Sequence, residues 1–215
     1  MNATRQRTGG RHLWVWMLMC LLAAVPVSGA ANTLNRPDRR AIPLLVSQSG
    51  NLREYGTGVV VGPQTILTAK HVLAKDIRVL FPRATVTGRT TCRTRNEDLA
   101  VVQAPLPQGT PHYRLSFRVP SVGETVTIAG YPLRRWRVAT GRITHMIRSA
   151  KLGGRVVNSP MIVFTPALDY GASGSPVLDR RGQVIGITVA SNRQSNYSIA
   201  FPIATGLRAC RKFIK

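Results

Sequence analysis

"GTGVVVGPQTILTAKHV", residues 56–72, holds two apolar, β-branched runs on either side of a Gly-Pro turn. Val59, Val60 and Val61 form the first, and Thr65 to Ala69 the second. Runs this short, rich in Val, Ile and Thr and punctuated by Gly and Pro, are strands joined by a turn. His71 follows directly, in a piece with room for one short helical turn over His71 to Lys75. A strand end followed by a tight turn presents its side chain at the rim of a sheet. The stretch therefore predicts a strand pair with an imidazole at its mouth.

The same grammar continues along the chain. "AIPLLVSQ" precedes it, and "IRVLFP", "ATVTGRTTCR", "DLAVVQA", "ETVTIAGYP", "VATGRITHMI", "PMIVFTPA", "GSPVLD", "GQVIGITVAS" and "YSIAFPI" follow. Strands at a spacing of about 8–12 residues are the mark of all-β sandwiches and barrels. Helical pattern is confined to the piece after His71 and to the tail, "IATGLRACRKFIK". So many strands exceed one small barrel, and two barrels of about six each suit the length. The loosest joint is "PLPQGTPHYRLSFRVP", residues 105–120, with prolines at 105, 107, 111 and 120. The expected layout is a first β-barrel over 41–112 and a second over 113–215 with a short C-terminal helix.

Residues 1–30 differ from the rest. Arg5, Arg7 and Arg11 form a basic head, Leu13 to Val27 is an uncharged apolar run, and "SGA" closes it at 28–30. That three-part layout is a secretory signal peptide. Fifteen apolar residues fall short of the roughly 20 that a membrane span needs, so an uncleaved anchor is the second reading. Residues 31–40 are then an N-terminal extension, and the mature protein is expected in the periplasm or outside the cell. Without the signal, three cysteines become two, Cys92 and Cys210. In an oxidising compartment such a pair is expected to bridge. Two buried free thiols are the alternative that spacing alone leaves open.

The formal net charge is +22; the signal contributes three arginines and no acids, which leaves +19. "LRRWR", 133–137, is the densest patch. Such a field favours anionic partners: an acidic protein, an envelope polymer or nucleic acid. No aromatic-interleaved RNA motif or zinc-finger spacing accompanies it. A solvated basic surface without a dedicated partner is the plainer reading. Composition, with 44% hydrophobic residues, excludes a disordered chain.

Few residues remain to carry chemistry. "YGASGSPV", 170–177, flanks Ser173 with glycines at 171 and 174. Glycine allows the backbone to turn N–H groups inward, so those of Gly171 and Ser173 could converge on one developing oxyanion. Serine alone is a poor nucleophile; it needs an imidazole base, itself oriented by a carboxylate. Three histidines lie beyond the signal. His112 sits in the proline-rich joint and His145 in an alternating basic strand, which leaves His71. Among the acids, Asp98 opens the apolar run "DLAVV", a costly place for a charge without a partner. Glu97 points the other way by strand alternation, and Asp76 lies in a local, solvated turn.

"TAKHV", "DLAVV" and "GASGSP", in the order His, Asp, Ser, resemble the three signatures of trypsin-like, chymotrypsin-fold serine endopeptidases. The flanks "GTGVVVGPQTILTAKHV", "VGETVTIAGYP", "TGRIT", "GQVIGI" and "IAFPI" are similar to the bacterial HtrA and glutamyl-endopeptidase branch, from about Pro43 to Gly206. The resemblance implies two Greek-key β-barrels with the site between them. It implies His71 as general base, Asp98 as its orienting acid, Ser173 as nucleophile, and the N–H groups of Gly171 and Ser173 as the oxyanion hole. It also implies a peptide substrate, and neither a cofactor nor a metal. Ala172 departs from the pattern: relatives activated by a freed N-terminus carry an Asp there, so that switch is not expected. No PDZ module is expected either. The resemblance puts the floor of the specificity pocket at Ala167 and its walls at Val189, Ala190, Ser191 and Ser198. With no Asp at the floor and Thr188 and Val189 where glutamyl enzymes have a histidine, a small or medium apolar P1 side chain is expected. The runner-up reading is a silent member of the fold that binds an anionic polymer or protein; a third is an anionic-polymer binder on an unrelated β fold.

Overall fold

The computed structural model describes residues 36–214. The expected signal peptide, residues 1–30, and residues 31–35 of the expected extension lie outside the described residues.

The first half contains β1 (Leu44–Ser49), β2 (Leu52–Thr57), β3 (Val59–Gly62), β4 (Thr65–Ala69), β5 (Asp76–Phe81), β6 (Ala84–Arg93) and β7 (Leu99–Gln103). They form one antiparallel sheet in the order β2-β1-β5-β6-β7-β4-β3. Its two edges, β2 and β3, are successive parts of one stretch, joined through Gly58, whose N–H donates to Pro43 O at 2.9 Å. The sheet therefore curls back on itself. That is why seven segments appear here where six strands are expected: the run "GTGVVV" bends at Gly58 and serves both edges.

The pattern of β5 shows the driving force. Ile77 and Val79 are buried while Asp76 and Arg78 face out, the alternation of a sheet wet on one side. β7 has no such alternation: Leu99, Ala100, Val101 and Val102 are all buried. Its second face is covered by residues of the tail, including Leu207 and Cys210, which share its hydrophobic core.

The second half contains β8 (Thr125–Gly130), β9 (Arg137–Leu152), β10 (Arg155–Phe164), β11 (Pro176–Leu178), β12 (Val184–Asn192) and β13 (Tyr197–Pro202). They close into a barrel in the order β10-β13-β12-β11-β8-β9. Val126, Ile128, Ile143, Ile162, Phe164, Val177, Ile185 and Ala200 fill it. The fold is thus all-β, two curled antiparallel sheets, as the strand pattern leads one to expect.

The proline-rich joint is ordered by backbone bonds to both halves. Tyr113 N–H donates to Val60 O at 2.8 Å, and Ser116 N–H to Val184 O at 2.9 Å. After β13 comes a single α-turn, α1 (Ile203–Gly206), then a 3-10 helix over Arg208–Phe213. This is the short C-terminal helix that the tail is expected to form. No side chain caps its start, and Gly206 disfavours continuing it. A disulfide joins Cys210 to Cys92 on β6, with 118 residues between them in sequence.

Candidate active site

β4 and β7 pair antiparallel, with Ala69 opposite Leu99. The residues just beyond each strand end must therefore meet. On one side the chain tightens into a 3-10 turn, Lys70–Val72; on the other stands Asp98. Lys70 N–H donates to Asp98 O at 3.0 Å and His71 N–H to Asp98 Oδ1 at 2.9 Å. The second carboxylate oxygen, Oδ2, is hydrogen-bonded to His71 Nδ1. The carboxylate thus grips the histidine by backbone and ring together. With Nδ1 occupied, Nε2 is the nitrogen left to work. The His71 side chain is 47% exposed and that of Asp98 21%, so the ring stands open beside a sheltered acid.

Thr94 secures the loop behind the acid. It is buried, its Oγ1 accepts from Leu99 N–H at 3.1 Å, and its own N–H donates to Leu99 O at 2.9 Å. Lys70 Nζ adds a bond to Thr94 O at 2.9 Å. The other candidates lie elsewhere. His112 and His145 are exposed on the joint and on β9, Asp76 is exposed at the start of β5, and Glu97 Oε1 accepts from Ser159 Oγ at 3.4 Å.

Ser173 occupies a turn whose backbone bonds are unevenly used. Ala172 N–H donates to Asp169 O at 3.1 Å, Gly174 N–H to Thr188 O at 2.8 Å, and Ser175 N–H to Ala172 O at 2.9 Å. The N–H groups of Gly171 and Ser173 have no acceptor among the described residues. Backbone donors are rarely left idle away from water, and these two idle donors alternate with used ones. The glycines make the turn possible. Gly171 has φ +93° and Gly174 φ +89°, where side chains are strained. A Cβ on Gly171 would also come within 2.6 Å of Tyr131 O, and one on Gly174 would overlap Thr57 O.

Thr57, at the end of β2, ties this turn to the first sheet. Its N–H donates to Ser173 O at 2.8 Å and its Oγ1 to Gly171 O at 3.0 Å. The same Oγ1 accepts from Tyr131 N–H at 3.0 Å, and Thr57 O accepts from Thr68 Oγ1 at 2.7 Å. Thr57 is wholly buried. Neither Thr57 nor Thr94 emerges from motif reasoning: each acts through partners that periodicity does not connect. The weak signal was the Thr between two glycines in "GTG".

Val72, next to His71, and the Ser173 carbonyl both abut Gly56 on β2. A Cβ on Gly56 would overlap the side chain of Val72, and would lie 3.0 Å from Ser173 O. No hydrogen bond joins Ser173 Oγ to the His71 ring among the described residues. Apo active sites often hold this contact long until substrate binds.

The expected pocket residues fall into two groups. Val189 and Ala190 line a cleft of about 760 Å³ together with His71, Asp98, Arg95 and Val156. Ala167, Ser191 and Ser198 belong to a separate hydrogen-bonded cluster. Ser198 Oγ donates to Pro166 O at 3.0 Å and accepts from Leu168 N–H at 3.1 Å, with Ser191 Oγ at 2.9 Å; Ala167 N–H donates to Asn196 Oδ1 at 3.1 Å. Both serine hydroxyls are thus spent on holding the 166–168 segment. Ala172 is buried and uncharged, so no ion pair can form at that position. Among the described residues no group of three or more His, Cys, Asp or Glu is placed to hold a metal ion.

A sequence profile described as the trypsin-like peptidase domain matches residues 56–187. The peroxisomal leader peptide-processing protease of Mus musculus is 30% identical over 169 residues, and that of Homo sapiens 26% over 166. Each alignment covers 69% of this chain and 28% of the relative, so the chain spans little more than a quarter of those proteins. Among solved structures, the active form of the Rv3671c protease from M. tuberculosis superposes with a TM-score of 0.76 at 21% identity, covering 85% of this chain and 84% of that one. The HtrA-type protease AlgW with a tripeptide gives 0.72 at 22%, covering 86% and 63%. The serine endoprotease from Yersinia pestis gives 0.71 at 23%, covering 84% and 65%. At these identities the structures speak for the fold.

Proposed function

This chain belongs to the trypsin-like peptidase domain family, and we propose on that footing that it is an exported serine endopeptidase with Ser173 as nucleophile. The observation that carries the proposal is the pair of idle N–H groups, on Gly171 and Ser173, on either side of the candidate nucleophile's own turn. They are the donors an oxyanion requires, in a turn that two left-handed glycines hold.

In the proposed cycle His71 Nε2 takes the proton of Ser173 Oγ as the oxygen attacks the scissile carbonyl. Asp98 accepts from Nδ1–H, which fixes the tautomer and steadies the imidazolium that forms. The carbonyl oxygen, now negative, is held by the N–H groups of Gly171 and Ser173. His71 returns the proton to the leaving amine and then activates water against the acyl-enzyme. No cofactor enters this cycle.

For specificity we propose a small or medium apolar P1 residue. The floor residue Ala167 carries no charge, and Ser191 and Ser198 have their hydroxyls engaged, so nothing there would reward a charged side chain. Residues 1–30 are proposed to direct export, which would expose Cys92 and Cys210 to oxidation.

A fluorophosphonate probe tests the nucleophile. Label mapped to Ser173, with peptide hydrolysis lost in Ser173→Ala while the melting temperature stays nearly unchanged, is the expected result. Hydrolysis that survives Ser173→Ala removes the assignment. Absence of labelling together with salt-sensitive binding to an anionic polymer would instead favour the silent, binding member of the fold.

A further inference from the structure

Ser173 lies between two surfaces. On one side is β12, whose pairing with β11 ends at Ile187, so its edge beyond Thr188 is open toward the cleft at Val189 and Ala190. With Ser173 as nucleophile, the acyl half of a substrate takes that side. The residues past the scissile bond must then leave over the opposite side, across β2 and the turn at 131–135 that abuts Gly171.

That opposite side is distinctive. The 3-10 turn Pro132–Arg134 is fastened to the nucleophile loop by Leu133 N–H donating to Tyr170 O at 2.7 Å. Trp136 packs edge-on against Tyr131 at 5.5 Å and anchors the turn from below. Leu133 and Arg134 both hold left-handed backbone, φ +50° and +60°, although neither is glycine. Two such residues in succession are costly and cluster at functional sites. The result is to lift Leu133 into solvent, 62% exposed, and to swing the Arg134 guanidinium over the Tyr55 ring on β2 at 5.1 Å. Arg53 lies two residues before Tyr55 on the same strand and so shares its face. Arg135 is exposed beside them.

The charge here is unbalanced. The one acid on this strand, Glu54, alternates to the other face and has its carboxylate occupied by Tyr170 Oη at 2.7 Å. Arg53 foremost, and then Arg134, hold the Tyr55 hydroxyl below its ordinary pKa, so the site already favours an anionic oxygen. Two guanidiniums at Tyr55, one of them over its ring, with the exposed Leu133 beside them, match a carboxylate carried on an extended peptide.

We infer that this surface is a subsite for the leaving side of the substrate, selecting an acidic residue within the first three positions after the scissile bond, with Arg53 and Arg134 as its specificity-determining residues. The inference rests on the serine endopeptidase reading. It places part of the chain's basic charge in substrate selection.

Internally quenched peptides test it on the full chain. They share one acyl half and carry Ala, Glu or Lys in the first three positions past the bond. Glu peptides should be cut with higher kcat/KM than Ala peptides, and Lys peptides least well. Each of Arg53→Gln and Arg134→Gln should lower the Glu-to-Ala ratio about two- to fivefold, as expected for partly exposed charge pairs. Raising salt should bring the ratio toward one. Arg83→Gln, in the β5–β6 turn away from the site, should leave the ratio alone. A wild-type ratio near one or favouring Lys, with peptides still cut, overturns the inference and spares the peptidase reading. Failure to cut any peptide overturns both.

Discussion

Replacing Thr57 with valine keeps the shape of the side chain and removes only its hydroxyl. That hydroxyl donates to Gly171 O and accepts from Tyr131 N–H, both inside the protein. Breaking a buried hydrogen bond and leaving its partner unsatisfied costs about 1–3 kcal/mol. Tyr131 is 4% exposed and Gly171 is buried, so water cannot readily replace either bond. For two abandoned partners the expected loss is about 2–6 kcal/mol. With a urea slope near 2 kcal/mol per molar, the unfolding midpoint should fall by about 1–3 M. The same bond holds the carbonyl of the residue that supplies one idle N–H. Removing an oxyanion donor outright costs about 10²–10³ in kcat; loosening one should cost about tenfold or more, with KM little changed. Thr57→Ser, which keeps the hydroxyl, should restore most of both. Urea unfolding and peptide kinetics on the three proteins decide it. A valine variant that unfolds and turns over like the wild type would refute the idea that this hydroxyl holds the nucleophile turn.

Four further outcomes are expected. Gly174→Ala puts a methyl group where Thr57 O already sits, at a left-handed φ, and should give protein with little hydrolysis and a lowered melting temperature by calorimetry. Asp98→Asn cannot steady the imidazolium and should lower kcat by orders of magnitude, about 10⁴ at the known limit, with the fold retained by circular dichroism. Opening the Cys92–Cys210 bridge by Cys210→Ala releases a loop of 118 residues; loop entropy alone assigns this about 4–5 kcal/mol, read as a drop in melting temperature of about 10 °C or more. Glu124 pairs with Arg118, which also meets the buried Asp179 at 3.1 Å, and the hydrogen bond from Arg118 holds the Glu124 carboxyl below its ordinary range. The folded pKa is depressed, so this stability is present above the ordinary carboxylate pKa and is lost as pH falls through the folded value; Glu124→Gln should flatten the acid limb of a stability-against-pH curve.

The candidate site was legible where its signals were local. His71 follows a strand end, Asp98 opens an apolar strand, and Ser173 sits between two glycines; each can be read within six residues. What the sequence could not show are the bonds between distant segments. Thr57 meets residues 114 and 74 positions away, and nothing in "GTG" names either partner. The left-handed pair Leu133 and Arg134 was equally hidden, because neither residue type advertises that conformation and "LRRWR" reads simply as charge. In the fold, strand runs were plain from their Val, Ile and Thr content, whereas the bend at Gly58 that lets one run serve both edges depends on sheet closure. The C-terminal helix is short, as expected: the tail's apolar residues are spaced to cover β7, with no cap to start a longer helix.

The way the tail covers β7 fixes an order of events. Leu207 and Cys210 belong to the same core as Leu99 and Val101, about a hundred residues upstream. The core of the half that carries His71 and Asp98 is complete only once the segment beyond β13 is in place, and by then Ser173 has been made as well. On the proposed reading, base, acid and serine would mature together, and a partly made chain would have no finished cleft with which to cut its neighbours.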